Sequence, residues 1–119
     1  MKASDLFVKC LEAEGVTKIF GIPGEENADL MISLKKSKIE FVLCRHEQAA
    51  AFMADVYGRL TGKAGVCLAT LGPGVTNLMT GLADANMDRA PVVAIIGQGS
   101  TERLHKESHQ IMDSISMVA

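Results

Sequence analysis

With 119 residues, 48% of them hydrophobic and 22% charged, and a formal net charge of -2, the chain has the composition of one soluble globular domain that buries its own core. Its Lys and Arg residues are scattered, which argues against a nucleic-acid partner, and the longest apolar run, Ala90 to Ile96, is too short to span a bilayer. Met1-Lys2-Ala3-Ser4-Asp5 lacks the apolar core of a signal peptide, so no membrane partner is expected and the expected location is the cytoplasm.

Four strand-like segments alternate with four helix-like ones, a pattern that predicts an α/β fold. The expected architecture is a three-layer α/β/α sandwich around a mostly parallel open sheet. Ser4 or Asp5 is placed to cap a first helix with Leu6, Phe7, Cys10 and Leu11 at helical spacing, and Gly15 ends it. A strand, Lys18-Ile19-Phe20, runs into Gly21-Ile22-Pro23-Gly24, and a second helix begins near Glu25 to Asn27. Lys35-Lys36-Ser37-Lys38 reads as the solvated end of that helix.

Phe41-Val42-Leu43-Cys44 is the second strand, followed through Arg45-His46 by a helix from about Glu47 to Leu60. The third strand, Gly65 to Thr70, is apolar almost throughout, as a central parallel strand covered on both faces must be. Leu71-Gly72-Pro73-Gly74 then opens a helix with Val75, Leu78, Met79 and Leu82 on one face, and Val92 to Ile96 is the fourth strand. Beyond Ser100 the pattern weakens, and Val118-Ala119 ends without a polar tail, so residues 1–119 are expected to be a single domain of a longer multidomain enzyme. Cys10, Cys44 and Cys67 are odd in number and match no zinc spacing; free, buried, reduced thiols are expected, and no metal site.

Glu47 stands out. It follows a short buried strand and precedes a run of mostly apolar residues, where a carboxylate is expensive to desolvate unless something uses it. Every strand end nearby is unusual: Gly-Ile-Pro-Gly, Arg-His-Glu, Leu-Gly-Pro-Gly and Gly-Gln-Gly. A single Gly-Pro-Gly turns a corner and no more. Repetition at successive strand ends around one carboxylate points to a shared site, since ligands in open α/β sheets sit beyond the carboxyl ends of the strands. No Walker A sequence, GxGxxG or nucleophile elbow is present. His46 is read as a turn residue that hydrogen-bonds backbone, and its spacing to His109 fixes no acid/base pair.

Together, Gly21-Ile22-Pro23-Gly24 and the run RHEQAAAFMADVYGRLTGKAGVCLATLGPGVTNLMTGLADANMDRAPVVAIIGQ from Arg45 to Gln98 resemble the N-terminal, pyrimidine-binding domain of thiamine-diphosphate enzymes. Within these enzymes the resemblance is to acetolactate synthase large subunits. It implies that Glu47 hydrogen-bonds the pyrimidine N1′ of thiamine diphosphate and so activates it. The implied reaction decarboxylates pyruvate and condenses it with a second 2-oxo acid. The resemblance further implies that Ile22 and Pro23 contact the cofactor, that Pro73 and Asn77 line the pyrimidine, and that Gln98, His109 and Gln110 lie on the substrate side. Pro73 equally suits a plain turn, and Asn77 a helix start. Gly24-Glu25-Glu26-Asn27 and His109-Gln110 depart from the biosynthetic pattern, which weakens any FAD assignment. The Gly-Asp-Gly motif that holds the diphosphate through Mg²⁺ in such enzymes does not occur in this sequence. The implied partner is therefore the diphosphate-binding domain of a second subunit in a homodimer or larger assembly, with the single chain inactive. Other readings are a different thiamine-diphosphate-dependent 2-oxo acid decarboxylase or carboligase, or a non-catalytic assembly module of the same fold.

Overall fold

The structure is a computed structural model that describes all 119 residues. In chain order it comprises α1 (Ala3–Ala13), β1 (Lys18–Gly21), α2 (Ala28–Leu34), β2 (Glu40–Leu43), α3 (Glu47–Thr61), β3 (Gly65–Ala69), α4 (Gly72–Met87), β4 (Val92–Ile96) and α5 (Ser114–Val118). A short 3-10 turn over Glu25–Asn27 leads into α2. The four strands form one parallel sheet in the order β2-β1-β3-β4, with Gly21 facing both Leu43 and Leu68 in register.

That order explains the layers. From β1 the chain steps outward to β2, then crosses back over β1 to reach β3. Right-handed crossovers in opposite directions put α2 on one face of the sheet and α3 on the other. Strand residues alternate accordingly. Ile19, Val66 and Leu68 join Val8, Leu34 and Ile39 in the core under α1 and α2. Cys67 and Ala69 join Ala50, Ala51, Ala54 and Leu78 in the core under α3 and α4. β3 is buried along its full length, as its composition requires. No helix is long and apolar enough to cross a membrane.

Some local expectations are corrected. Helix α1 starts at Ala3, and Asp5 lies inside it, accepting the Lys2 backbone N–H at 3.0 Å instead of capping the helix itself. Its buried residue is Val8, with Leu11 half-buried, while Leu6, Phe7 and Cys10 are exposed. Two apolar stripes satisfy helical spacing on this helix. The hydrogen bonds from Ser33 of α2 to Ser4 and Asp5 fix which one turns inward. Cys10 is consequently not a buried thiol, although Cys44 and Cys67 are. In the tail, where the sequence pattern weakens, α5 forms where Asp113 accepts hydrogen bonds from the Ser116 backbone N–H and hydroxyl.

Candidate functional site

Between β1 and β3 the winding direction of the chain reverses, the position at which open α/β sheets carry their ligand crevice. Helices α3 and α4 both start at this edge of the sheet, so their free N–H groups and positive dipole ends face the same region. His46 is the N-cap of α3: its backbone is extended and its Nδ1 accepts the Gln48 N–H at 3.1 Å. This is the backbone-bonding turn role expected of it, and it makes Glu47 the first residue of the helix. Pro73 sits in the first turn of α4, where its missing N–H leaves no intrahelical bond unmade.

Asn77, one turn further into α4, donates from Nδ2 to Glu47 Oε2 at 3.0 Å. The other oxygen, Oε1, accepts no hydrogen bond within the chain and faces Gly74. A Cβ at Gly74 would stand 3.3 Å from Oε1 and 3.3 Å from the Ala69 methyl, so the missing side chain leaves a hollow beside the free oxygen. Glu47 is half-buried at the crevice mouth, less enclosed than its apolar sequence neighbours suggested, because Ala and Gly around it leave space. One oxygen fixed and one presented to a hollow is an arrangement suited to a planar heterocycle that offers a ring nitrogen. The residues present therefore fit the pyrimidine of the implied cofactor. No cluster of His, Cys, Asp or Glu is placed to hold a metal ion.

The other expected site residues are distributed around this centre. Ile22 is half-buried, packs on the α3/α4 core and donates its N–H to Leu68 O at 3.3 Å, while Pro23 is exposed at the rim. Gln98 is exposed and accepts the Gly99 N–H at 3.2 Å. It lines a separate cavity of about 420 Å³ with Leu104, Ile111, Met112 and Ile115, which does not include Glu47. His109 and Gln110 are exposed. Gln110 adopts φ 55° and lays its carbonyl over the start of α4, 2.5 Å from where a Cβ on Gly72 would be. The structure thus unites Glu47, Asn77 and the Gly72-Pro73-Gly74 turn, sets Ile22 and Pro23 at the neighbouring strand end, and leaves Gln98, His109 and Gln110 on the C-terminal segment.

Thr70 was not singled out from sequence. Glycines from two loops and the first turn of α4 converge on it: a Cβ on Gly24 would collide with its methyl, one on Gly97 would lie 3.2 Å from its carbonyl carbon, and one on Gly74 would lie 3.7 Å from its hydroxyl oxygen. The available signal was a β-branched residue at the end of the central strand, directly ahead of Leu-Gly-Pro-Gly.

The family model described as "Thiamine pyrophosphate enzyme, N-terminal TPP binding domain" matches residues 1–117. A probable acetolactate synthase large subunit of Methanocaldococcus jannaschii is 44% identical over 117 residues, covering 98% of this chain and 20% of that protein. The large subunit of acetolactate synthase isozyme 2 of Escherichia coli is 46% identical, over 98% of this chain and 21% of its own length. The catabolic acetolactate synthase of Raoultella terrigena is 49% identical over 96% of this chain and 20% of its own. The chain spans about a fifth of the length of these relatives. Its parallel four-stranded sheet, the glycine-rich strand ends around Glu47 and the match along nearly its whole length agree: the chain belongs to the thiamine pyrophosphate enzymes, as their N-terminal TPP-binding domain, and is homologous to acetolactate synthase large subunits.

Proposed function

We propose that this chain is the cofactor-activating part of an acetolactate synthase that decarboxylates pyruvate and condenses it with a second 2-oxo acid. The observation that carries the reading is the split role of the Glu47 carboxylate, with Oε2 held by Asn77 and Oε1 open beside Gly74. When bound, thiamine diphosphate supplies a nucleophilic carbon that attacks the substrate carbonyl and takes up the electrons released by decarboxylation. Glu47 would hold and exchange a proton at the pyrimidine N1′ through Oε1. Asn77 keeps the carboxylate in one orientation, so no rotamer search precedes proton transfer. Ile22, Pro23 and Pro73 form the rigid walls that orient the ring. Gln98, His109 and Gln110 are assigned to the substrate side.

The diphosphate and Mg²⁺ would be held by another domain, provided by a second subunit in a cytoplasmic homodimer or larger oligomer. The absence of a Gly-Asp-Gly motif from these residues supports that division of labour. His109-Gln110 argues against FAD. The test is the product formed from pyruvate by the enzyme that contains this chain, with and without thiamine diphosphate and Mg²⁺. Cofactor-dependent acetolactate is expected; acetaldehyde alone, or no dependence on the cofactor, would overturn the proposal.

A further inference from the structure

Asn27 is buried at the end of the 3-10 turn, and its two polar atoms fare differently. Oδ1 accepts the Gly24 N–H at 2.8 Å, whereas Nδ2 is buried with no partner at all. An orphaned buried donor opposes folding, and an apolar residue of similar size would avoid that penalty. Asn27 is therefore a poor choice for stability, and its bond to Gly24 is what the side chain provides.

Gly24 is held from a second direction. Its backbone is extended, at φ -159°, which any residue adopts, so conformation does not demand glycine there. The demand comes from Thr70, whose Cγ2 occupies the place a Cβ would take. The Thr70 methyl thus packs directly on the Gly24 backbone and joins the loop after β1 to the end of β3.

We propose that Asn27 and Thr70 are positioning residues that grip Gly24, one through its N–H and the other through its Cα face, and so fix the Ile22-Pro23 loop against Glu47's side of the crevice. This inference rests on the proposed cofactor role of that loop. It also identifies what Gly24-Glu25-Glu26-Asn27 does in this chain: the asparagine three residues beyond the glycine closes the loop.

The test compares Asn27→Ala, Thr70→Ser and Thr70→Val in the enzyme containing this chain. It reads amide hydrogen exchange over Ile22 to Asn27 without cofactor, thermal midpoint, and KM for thiamine diphosphate. Asn27→Ala and Thr70→Ser are expected to speed exchange at this loop about tenfold and to raise the cofactor KM by roughly the same factor, as the loss of one modest contact implies. The thermal midpoint should stay near that of the unmodified enzyme. Thr70→Val keeps the methyl and should retain the slow exchange. Unchanged exchange in Asn27→Ala, or equal loosening by Thr70→Val and Thr70→Ser, overturns the grip. Faster exchange with an unchanged KM overturns its role in cofactor handling. An unmodified enzyme that ignores thiamine diphosphate defeats the functional reading instead, and the exchange data still decide the grip.

Discussion

The two oxygens of Glu47 do different work, and each has its own consequence. A glutamine at this position keeps an oxygen for the Asn77 amide to bond but loses the exchangeable carboxyl proton. Glu47→Gln in the complete enzyme is therefore expected to lower kcat by about 10²–10⁴-fold, the usual range for a lost general acid/base, with an unchanged circular dichroism spectrum and thermal midpoint. Wild-type turnover would remove Glu47 from the mechanism. Glu47 was legible in the sequence because a charge at a strand-to-helix junction beside an apolar run is a local signal. Thr70 was not, since its place depends on two loops and a helix start that only the folded sheet brings together. The cysteines give a second prediction at this scale. Burial raises the Cys44 thiol and pushes Cys67 up to about 12, while Cys10 is exposed. A thiol-specific reagent should label Cys10 alone until the chain unfolds. The neutral Cys67 thiol stabilises the folded state fully below its ordinary pKa of 9.0, and that contribution is lost as pH rises from there through about 12. Urea titrations should show stability falling across this alkaline interval, and Cys67→Ala should flatten the slope.

Helices α3 and α4 lie close because small residues meet between them. A Cβ on Gly81 would stand 2.5 Å from the Ala51 Cβ and 3.0 Å from the Phe52 N atom. At the far end, Arg59 joins the helices, donating to the fully buried Asp55 on α3, to Asp84 on α4 at 3.2 Å and to Asp88 at the α4 C-cap at 2.5 Å. The pair is thus tied at both ends, by Asn77 to Glu47 at the site and by Arg59 away from it. Gly81→Val must wedge the helices apart, and overpacking of this kind destabilises by about 1–3 kcal/mol. An unfolding free energy lowered by that amount in urea titration is expected, together with weaker cofactor activation because Asn77 recedes from Glu47. A midpoint equal to wild type would show that the helices give way without strain. Element types were readable wherever burial was one-sided in composition: β3 is apolar at successive positions, and α4 carries Val75 and Leu78 inward as its spacing predicts. The inward face of α1 was not readable, since Leu6, Phe7 and Cys10 are as apolar as Val8 and Leu11. Contacts to Ser33 on another element decide between them.

At the scale of the whole molecule, two cores enclose the sheet, yet the site itself stays open. Glu47 and its hollow lie at the crevice mouth, and Met53, Val56 and Leu60 leave an apolar stripe exposed along α3. No group of three or more His, Cys, Asp or Glu residues is placed to hold a metal ion. On the proposed reading, what the chain offers the cofactor is one carboxylate oxygen and a small apolar hollow, without the charge-neutralising contacts on which most of the affinity of a phosphorylated ligand rests. Titration calorimetry of the single chain with thiamine diphosphate and Mg²⁺ is therefore expected to give a dissociation constant of about 1 mM or weaker, roughly 4 kcal/mol of binding free energy, and assays should find no synthase activity. Exposed apolar surface beside an open site also favours association of copies, seen as a sedimentation coefficient that rises with concentration. The two expectations are separable. If copies associate while the affinity stays millimolar, the site lacks a complementary domain and not merely a neighbour. A separately supplied domain carrying the diphosphate motif should then restore Mg²⁺-dependent binding, because the missing half would arrive with its charges in place. Micromolar, Mg²⁺-dependent binding by the single chain would refute that division and move the diphosphate contacts onto residues of this domain.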